Sequence, residues 1–155
     1  MAGPVVETTS RILGRFGPTL LGSEYWEANP AKGSKPGYLP RLGSAAGPHK
    51  SGDDPHIAGR ALDIVLFASR PNEKSLADAL VQVLLKLKDK LKFISVVYNG
   101  SEWNGAGQKF AHPGHVTHIH IEWGAASMSH TGFEADLEAE CKALKPADDT
   151  DYEID

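Results

Sequence analysis

Val116-Thr117-His118-Ile119-His120-Ile121-Glu122-Trp123 is the stretch on which the fold turns. In an extended chain alternate side chains share a face. His118, His120 and Glu122 then lie on one side, and Thr117, Ile119, Ile121 and Trp123 on the other. This is a half-buried strand with three polar, chemistry-bearing groups in a row on its open face.

Upstream of it, Phe93–Tyr98 reads as a second strand, Asn99-Gly100 as a tight turn, and Glu102-Trp103 as the start of a return strand. Asn104 to Gly114 reads as a Gly-rich loop. Ala61-Leu62-Asp63-Ile64-Val65-Leu66-Phe67 is a short apolar run bounded by turn-rich sequence, the mark of a buried strand. After Pro71-Asn72, the residues Leu76, Leu80, Val83, Leu84, Leu87 and Leu91 recur at helical spacing. Lys86, Lys88 and Lys92 crowd the end of that helix, where its dipole favours cations.

Residues 8–17 form a shorter helix, capped by Thr8 or Thr9, with Ile12, Leu13 and Phe16 as its apolar stripe and Gly17-Pro18 as its stop. Gly22 to Asp54 is rich in Gly, Pro, Ser and Lys, with anchors at Tyr25, Trp26, Tyr38 and Leu39. It reads as a long irregular segment that walls a cleft. Thr131-Gly132 opens a last helix carrying Phe133, Leu137, Cys141 and Leu144, which Pro146 ends. The expected fold class is α+β: one domain over residues 1–146, with a small, mainly antiparallel sheet flanked by helices. Residues 147–155 form an acidic, disordered tail.

Composition narrows the functions. The chain has 155 residues, 41% hydrophobic and 23% charged, enough to bury a core. Its net charge is -4, but Asp148 to Asp155 hold five acids and no Lys or Arg; without them 15 acids face 16 bases. A near-neutral body argues against nucleic acid as partner. No apolar run approaches the ~20 residues of a membrane span. Cys141 is alone, which excludes an intrachain disulfide and a thiolate-rich zinc finger. Met1 to Glu7 lacks the pattern of a signal peptide. The expectation is therefore synthesis in the cytoplasm, with action there or after release by lysis or dedicated export.

Four of the seven histidines, His112, His115, His118 and His120, fall within nine residues. Zinc favours imidazole and carboxylate donors, and a catalytic zinc takes three protein ligands and a water. His56 on a loop and Asp63 in a strand converge on one ion if the chain bends near Gly59. Either His118 or His120, two apart on one strand face, completes such a site, and spacing alone does not choose between them. Taken singly, each piece has an ordinary reading, as a surface His, a strand-edge Asp, or solvated histidines on a strand. Their coincidence in one short chain is what points to a metal.

His56 to Asp63 with Gly59-x-Ala61-x-Asp63, followed by His118-Ile119-His120, resembles the signature of LAS-type zinc metallopeptidases. That group comprises the lysostaphin, D-Ala-D-Ala carboxypeptidase and hedgehog proteins, and the resemblance spans roughly residues 40 to 124. It implies His56, Asp63 and His120 as ligands of one Zn2+ per chain, in a cleft on the sheet face. It implies His118 as the histidine facing the bound water or the developing oxyanion. His115 lies five positions before the last ligand, as does the presumed base of penicillin-insensitive murein endopeptidases, which implies His115 as general base. The chain departs from the pattern at Asp54, where the family often has Ser, and in its base, which is Glu or Asp in many members. Arg41, in Gly37-Tyr38-Leu39-Pro40-Arg41, is the candidate for holding a substrate carboxylate, and Arg60 reads as a surface charge.

Glu102 and Asp53 are rival bases. Glu122 is either an outer partner of a ligand or a surface carboxylate. Trp103 and Trp123 read as packing residues. His49, His112 and His130 read as solvated, with His112 nearest the cleft edge. The implied activity is hydrolysis of an amide in peptidoglycan stem peptides or another D-amino-acid-containing peptide, by a monomer acting as murein endopeptidase or carboxypeptidase, with a phage lysin as one setting. The rival expectation is a hedgehog-like binding module that keeps zinc without turnover. A structural four-ligand site is a third.

Overall fold

The computed structural model describes residues 3–21, 40–42, 55 and 59–145. The long segment of residues 22–54, apart from its residues 40–42, lies outside the described residues, as do His56 and the acidic tail. Six strands, β1 (Pro40–Leu42), β2 (Ala61–Val65), β3 (Phe93–Tyr98), β4 (Ser101–Asn104), β5 (Lys109–Ala111) and β6 (His118–Trp123), form one sheet in the order β1-β2-β6-β3-β4-β5. Every neighbouring pair is antiparallel. With helices α1 (Pro4–Leu21), α2 (Pro71–Lys86), α3 (Lys88–Leu91) and α4 (Glu134–Ala143), the architecture is α+β with an open antiparallel sheet.

The alternation along β6 appears in burial. Ile119, Ile121 and Trp123 are fully buried, while His118, His120 and Glu122 are half-exposed. The buried face joins Leu62, Ile64, Phe93 and Val96 to Ile12 and Leu13 of α1, Leu80 and Leu84 of α2, and Leu137 and Cys141 of α4 in one hydrophobic cluster. Helices therefore cover one face, and the histidines occupy the other. Trp123 sits fully within the core and donates its indole N–H to the Leu91 carbonyl at 2.9 Å. The pairing of β2 with β6 also continues past the strand ends, where Leu66 and Ala68 donate to Thr117 and Val116.

Several boundaries differ from the sequence reading. The first helix begins at Pro4, whose missing N–H costs nothing in the first turn. It also runs through Gly17-Pro18 to Leu21. Thr9 is not a cap: it is buried inside the helix and donates its hydroxyl to the Val5 carbonyl at 2.7 Å. The leucine-rich helix breaks at Leu87 before its last turn, and Lys92 closes that turn in the left-handed conformation (φ 60°).

Two strands arise inside segments read as irregular. β1 lies within residues 22–54, and β5 lies within the loop 104–114. All three β5 residues are exposed, so no apolar alternation marks them. Their hairpin is closed instead by Asn104, whose side-chain oxygen accepts the N–H groups of Ala106 and Gln108, both at 3.0 Å. No helix among the described residues is long and apolar enough to cross a membrane.

Candidate metal and catalytic site

Strand register assembles the site. Arg41 is opposite Asp63, Asp63 opposite His120, His120 opposite Val97, Val97 opposite Glu102, and Glu102 opposite Phe110. One row thus crosses all six strands. Directly opposed residues project to the same side of a sheet, so Asp63, His120, Val97 and Glu102 share the face that the helices leave open. In the flanking rows, His118 pairs with Val65 and Glu122 with Ser95.

His112 and His115 reach the same place from the segment between β5 and β6. The Asn99-Gly100 turn holds that segment through its backbone. Asn99 donates to the His115 carbonyl at 2.8 Å, Gly100 donates to Gly114 at 3.0 Å, and His112 donates to the Gly100 carbonyl at 3.0 Å. Asn99 (φ 46°) and Gly100 (φ 84°) both adopt positive φ, as a two-residue type I′ hairpin turn requires. Gly114 (φ 98°) and His115 (φ 54°) do the same.

At the centre, His120 Nδ1 lies 3.1 Å from Asp63 Oδ1, and its Nε2 lies 3.2 Å from Glu122 Oε1. His118 Nε2 stands 3.8 Å from the same Asp63 oxygen, and its Nδ1 pairs with the Thr117 hydroxyl at 3.1 Å. His120 is the more buried of the two, with 13% of its side chain exposed against 27% for His118. The His115 ring centroid lies 5.0 Å from that of His118, 5.8 Å from His120 and 4.9 Å from His112. Across the cleft, His112 Nδ1 lies 3.0 Å from Glu102 Oε1, while Ser95 donates its hydroxyl to Glu102 Oε2 at 3.0 Å. The cleft encloses about 400 Å3 and is lined by Ile94, Val97, Ser95, Glu102, Glu122 and the histidines 112, 115 and 120.

These neighbours split the two central imidazoles. Burial alone pushes the His120 pKa down, but hydrogen bonds and charge from Asp63 and Glu122 outweigh it and raise it to about 9. Burial lowers His115 to about 4, reinforced by His118, His120 and His112 and opposed only by Asp63. At neutral pH His115 is an uncharged imidazole, and the same surroundings make it a weaker proton acceptor than a free imidazole.

The fit to zinc can be tested on donor spacing. Asp63 Oδ1 and His120 Nδ1 are hydrogen-bonded at 3.1 Å, a separation that also comes near the roughly 3.3 Å between two donors on a tetrahedral zinc. A carboxylate on the far nitrogen of a ligating imidazole is the usual outer support, and Glu122 occupies that place. Among the described residues, however, no group of three or more His, Cys, Asp or Glu is arranged to hold a metal ion. The third expected ligand, His56, lies outside the described residues.

Of the residues singled out in sequence, Asp63, His115, His118 and His120 come together, and Arg41 holds the register position opposite Asp63. Asp53, Asp54 and His49 lie outside the described residues. Arg60 is a structural tie rather than a surface charge: it donates Nη1 to the Trp123 carbonyl at 2.7 Å, and its own carbonyl accepts the Trp123 N–H at 2.8 Å. His112 is paired with Glu102 rather than simply solvated. The available signal was the Asn99-Gly100 turn, which dictates the β3–β4 register. Comparison with known proteins finds no matching family model, no matching curated protein and no matching solved structure.

Proposed function

We propose that this chain is a zinc-dependent peptidase that hydrolyses an amide bond in bacterial peptidoglycan peptides. The observation that carries this reading is the Asp63–His120 pair at ligand spacing, with Glu122 behind it and the imidazoles of His115 and His118 beside it. The peptidoglycan substrate comes from the sequence resemblance.

Asp63 and His120, together with His56, are the residues that would hold a zinc ion. A bound zinc would supply polarisation of the scissile carbonyl and a water molecule whose pKa is lowered to about 7. Glu122 accepts the Nε2–H of His120 and so presents Nδ1 to the cleft centre. His115, neutral at working pH, takes the proton of the attacking water and delivers it to the leaving amine. His118, between Thr117 and Asp63, donates to the oxyanion that develops on the substrate carbonyl.

Metal content by mass spectrometry, run beside a digest of purified peptidoglycan with and without chelator, tests this function. About one zinc per chain and chelator-sensitive release of new peptide ends are the expected results. Zinc without cleavage would favour the binding-module alternative. A chain that takes up no zinc on reconstitution would overturn the reading.

A further inference from the structure

The His115 ring has, among the described residues, none of the support that an acid–base imidazole normally has. Among the described residues no hydrogen bond reaches its ring, although its backbone is fixed at φ 54° by the Asn99 N–H. Catalytic imidazoles are commonly oriented by a carboxylate on the nitrogen away from the reaction. Here the carboxylate lies one ring further out. Glu102, on β4, uses both oxygens, one on His112 Nδ1 and one on the hydroxyl of Ser95 from β3. The His112 backbone is also tied to Gly100. The ring so fixed meets His115 edge-on, at 4.9 Å between centroids and 76° between planes.

We propose that His112, braced by Glu102 and Ser95, is the positioning residue for His115: a fixed wall that holds the base against His118 and His120 on the other side. The inference rests on the peptidase reading, in which His115 moves the proton. The alternative of direct proton exchange between the two rings is disfavoured by the edge-to-face contact, which provides no N–H···N bond.

The test uses the zinc-loaded full chain. Glu102→Ala and His112→Ala should each lower kcat by about 10- to 100-fold, since an ångström-scale misplacement of a reacting group costs that much. KM and zinc content should stay near wild type. Glu102→Gln, whose amide oxygen still accepts the His112 Nδ1–H, should recover most of the rate. In a His115→Ala background, His112→Ala should cost nothing further, because a residue acting only through His115 cannot act without it.

Wild-type kcat in the single variants, or losses that multiply with His115→Ala, would overturn the inference while leaving the peptidase reading intact. A wild-type chain that cleaves no peptide would instead remove the peptidase reading and the inference with it. NMR relaxation of the imidazole C–H groups in metal-free Glu102→Ala supplies a readout independent of turnover. The His115 ring should gain mobility, and an unchanged ring would sink the positioning role.

Discussion

His115 and His120 lie 5.8 Å apart, centroid to centroid, yet their environments drive them in opposite directions. His115 sits among three other imidazoles, and His120 between two carboxylates. Replacing His115 by Ala should reduce hydrolysis by roughly 10²–10⁴-fold with zinc content and fold unchanged; equal activity would remove it from the base role. The same split predicts the pH dependence of the metal-free protein. With His120 raised from 6.5 to about 9, the native state holds the extra proton across that window, so its contribution to stability is full below 6.5 and is lost as pH rises toward 9. With His115 lowered to about 4, the unfolded chain binds the extra proton between 4 and 6.5, so that contribution is full above 6.5 and is lost as pH falls. Thermal unfolding of EDTA-treated protein should show these two groups supporting a maximum near pH 6.5. His120→Asn should flatten the alkaline limb, and an unaltered limb would contradict the assignment.

At the scale of elements, the β3–β4 hairpin does more than reverse the chain. Its turn donates two N–H groups to residues 114 and 115 and accepts one from His112, so the loop that carries two site histidines takes its position from Asn99-Gly100. Gly100 has open space where a Cβ would go, and its difficulty for another residue is φ 84°. Gly100→Ala should therefore cost about 1–2 kcal/mol from left-handed strain alone. It should also depress kcat through displacement of His115. Urea denaturation and steady-state kinetics on the same sample check both effects, and a stability loss with unchanged kcat would show that the turn does not position the base. Gly105 poses a different problem, because a Cβ there would meet the Phe93 carbonyl at 2.7 Å. That glycine is required by close backbone approach.

For the whole molecule, the division of labour lies between the two faces of one sheet. Ile121 belongs to the face under the helices and pairs with Leu62 and Val96 on either side. Its backbone neighbours His120 and Glu122 point into the cleft. Ile121→Ala should destabilise the fold by about 2–5 kcal/mol, through lost transfer energy and the cavity left behind. Calorimetry with zinc titration would test the separation of roles: the thermal midpoint should fall, while zinc stoichiometry at low temperature stays the same. Loss of zinc binding in the folded variant would show that the core face sets the site geometry more tightly than strand alternation alone implies.

The helices and central strands were legible because their burial repeats locally, as in Leu76 to Leu91 and in the alternation of Ile119, Ile121 and Trp123. That alternation also placed His118, His120 and Glu122 on the open face. The edge strands were not legible, because β5 is exposed throughout and carries no such repeat. Nor could Pro18 be seen to lie within a helix that continues to Leu21. The face of the sheet on which His118, His120 and Glu122 lie follows from the local sequence, because side-chain period is set by backbone geometry. That Asp63 stands opposite His120, 57 residues away, and that Glu102 pairs with His112, follows from the folded sheet and from no local pattern. Register is set by hydrogen bonds between distant strands, and no local pattern encodes them.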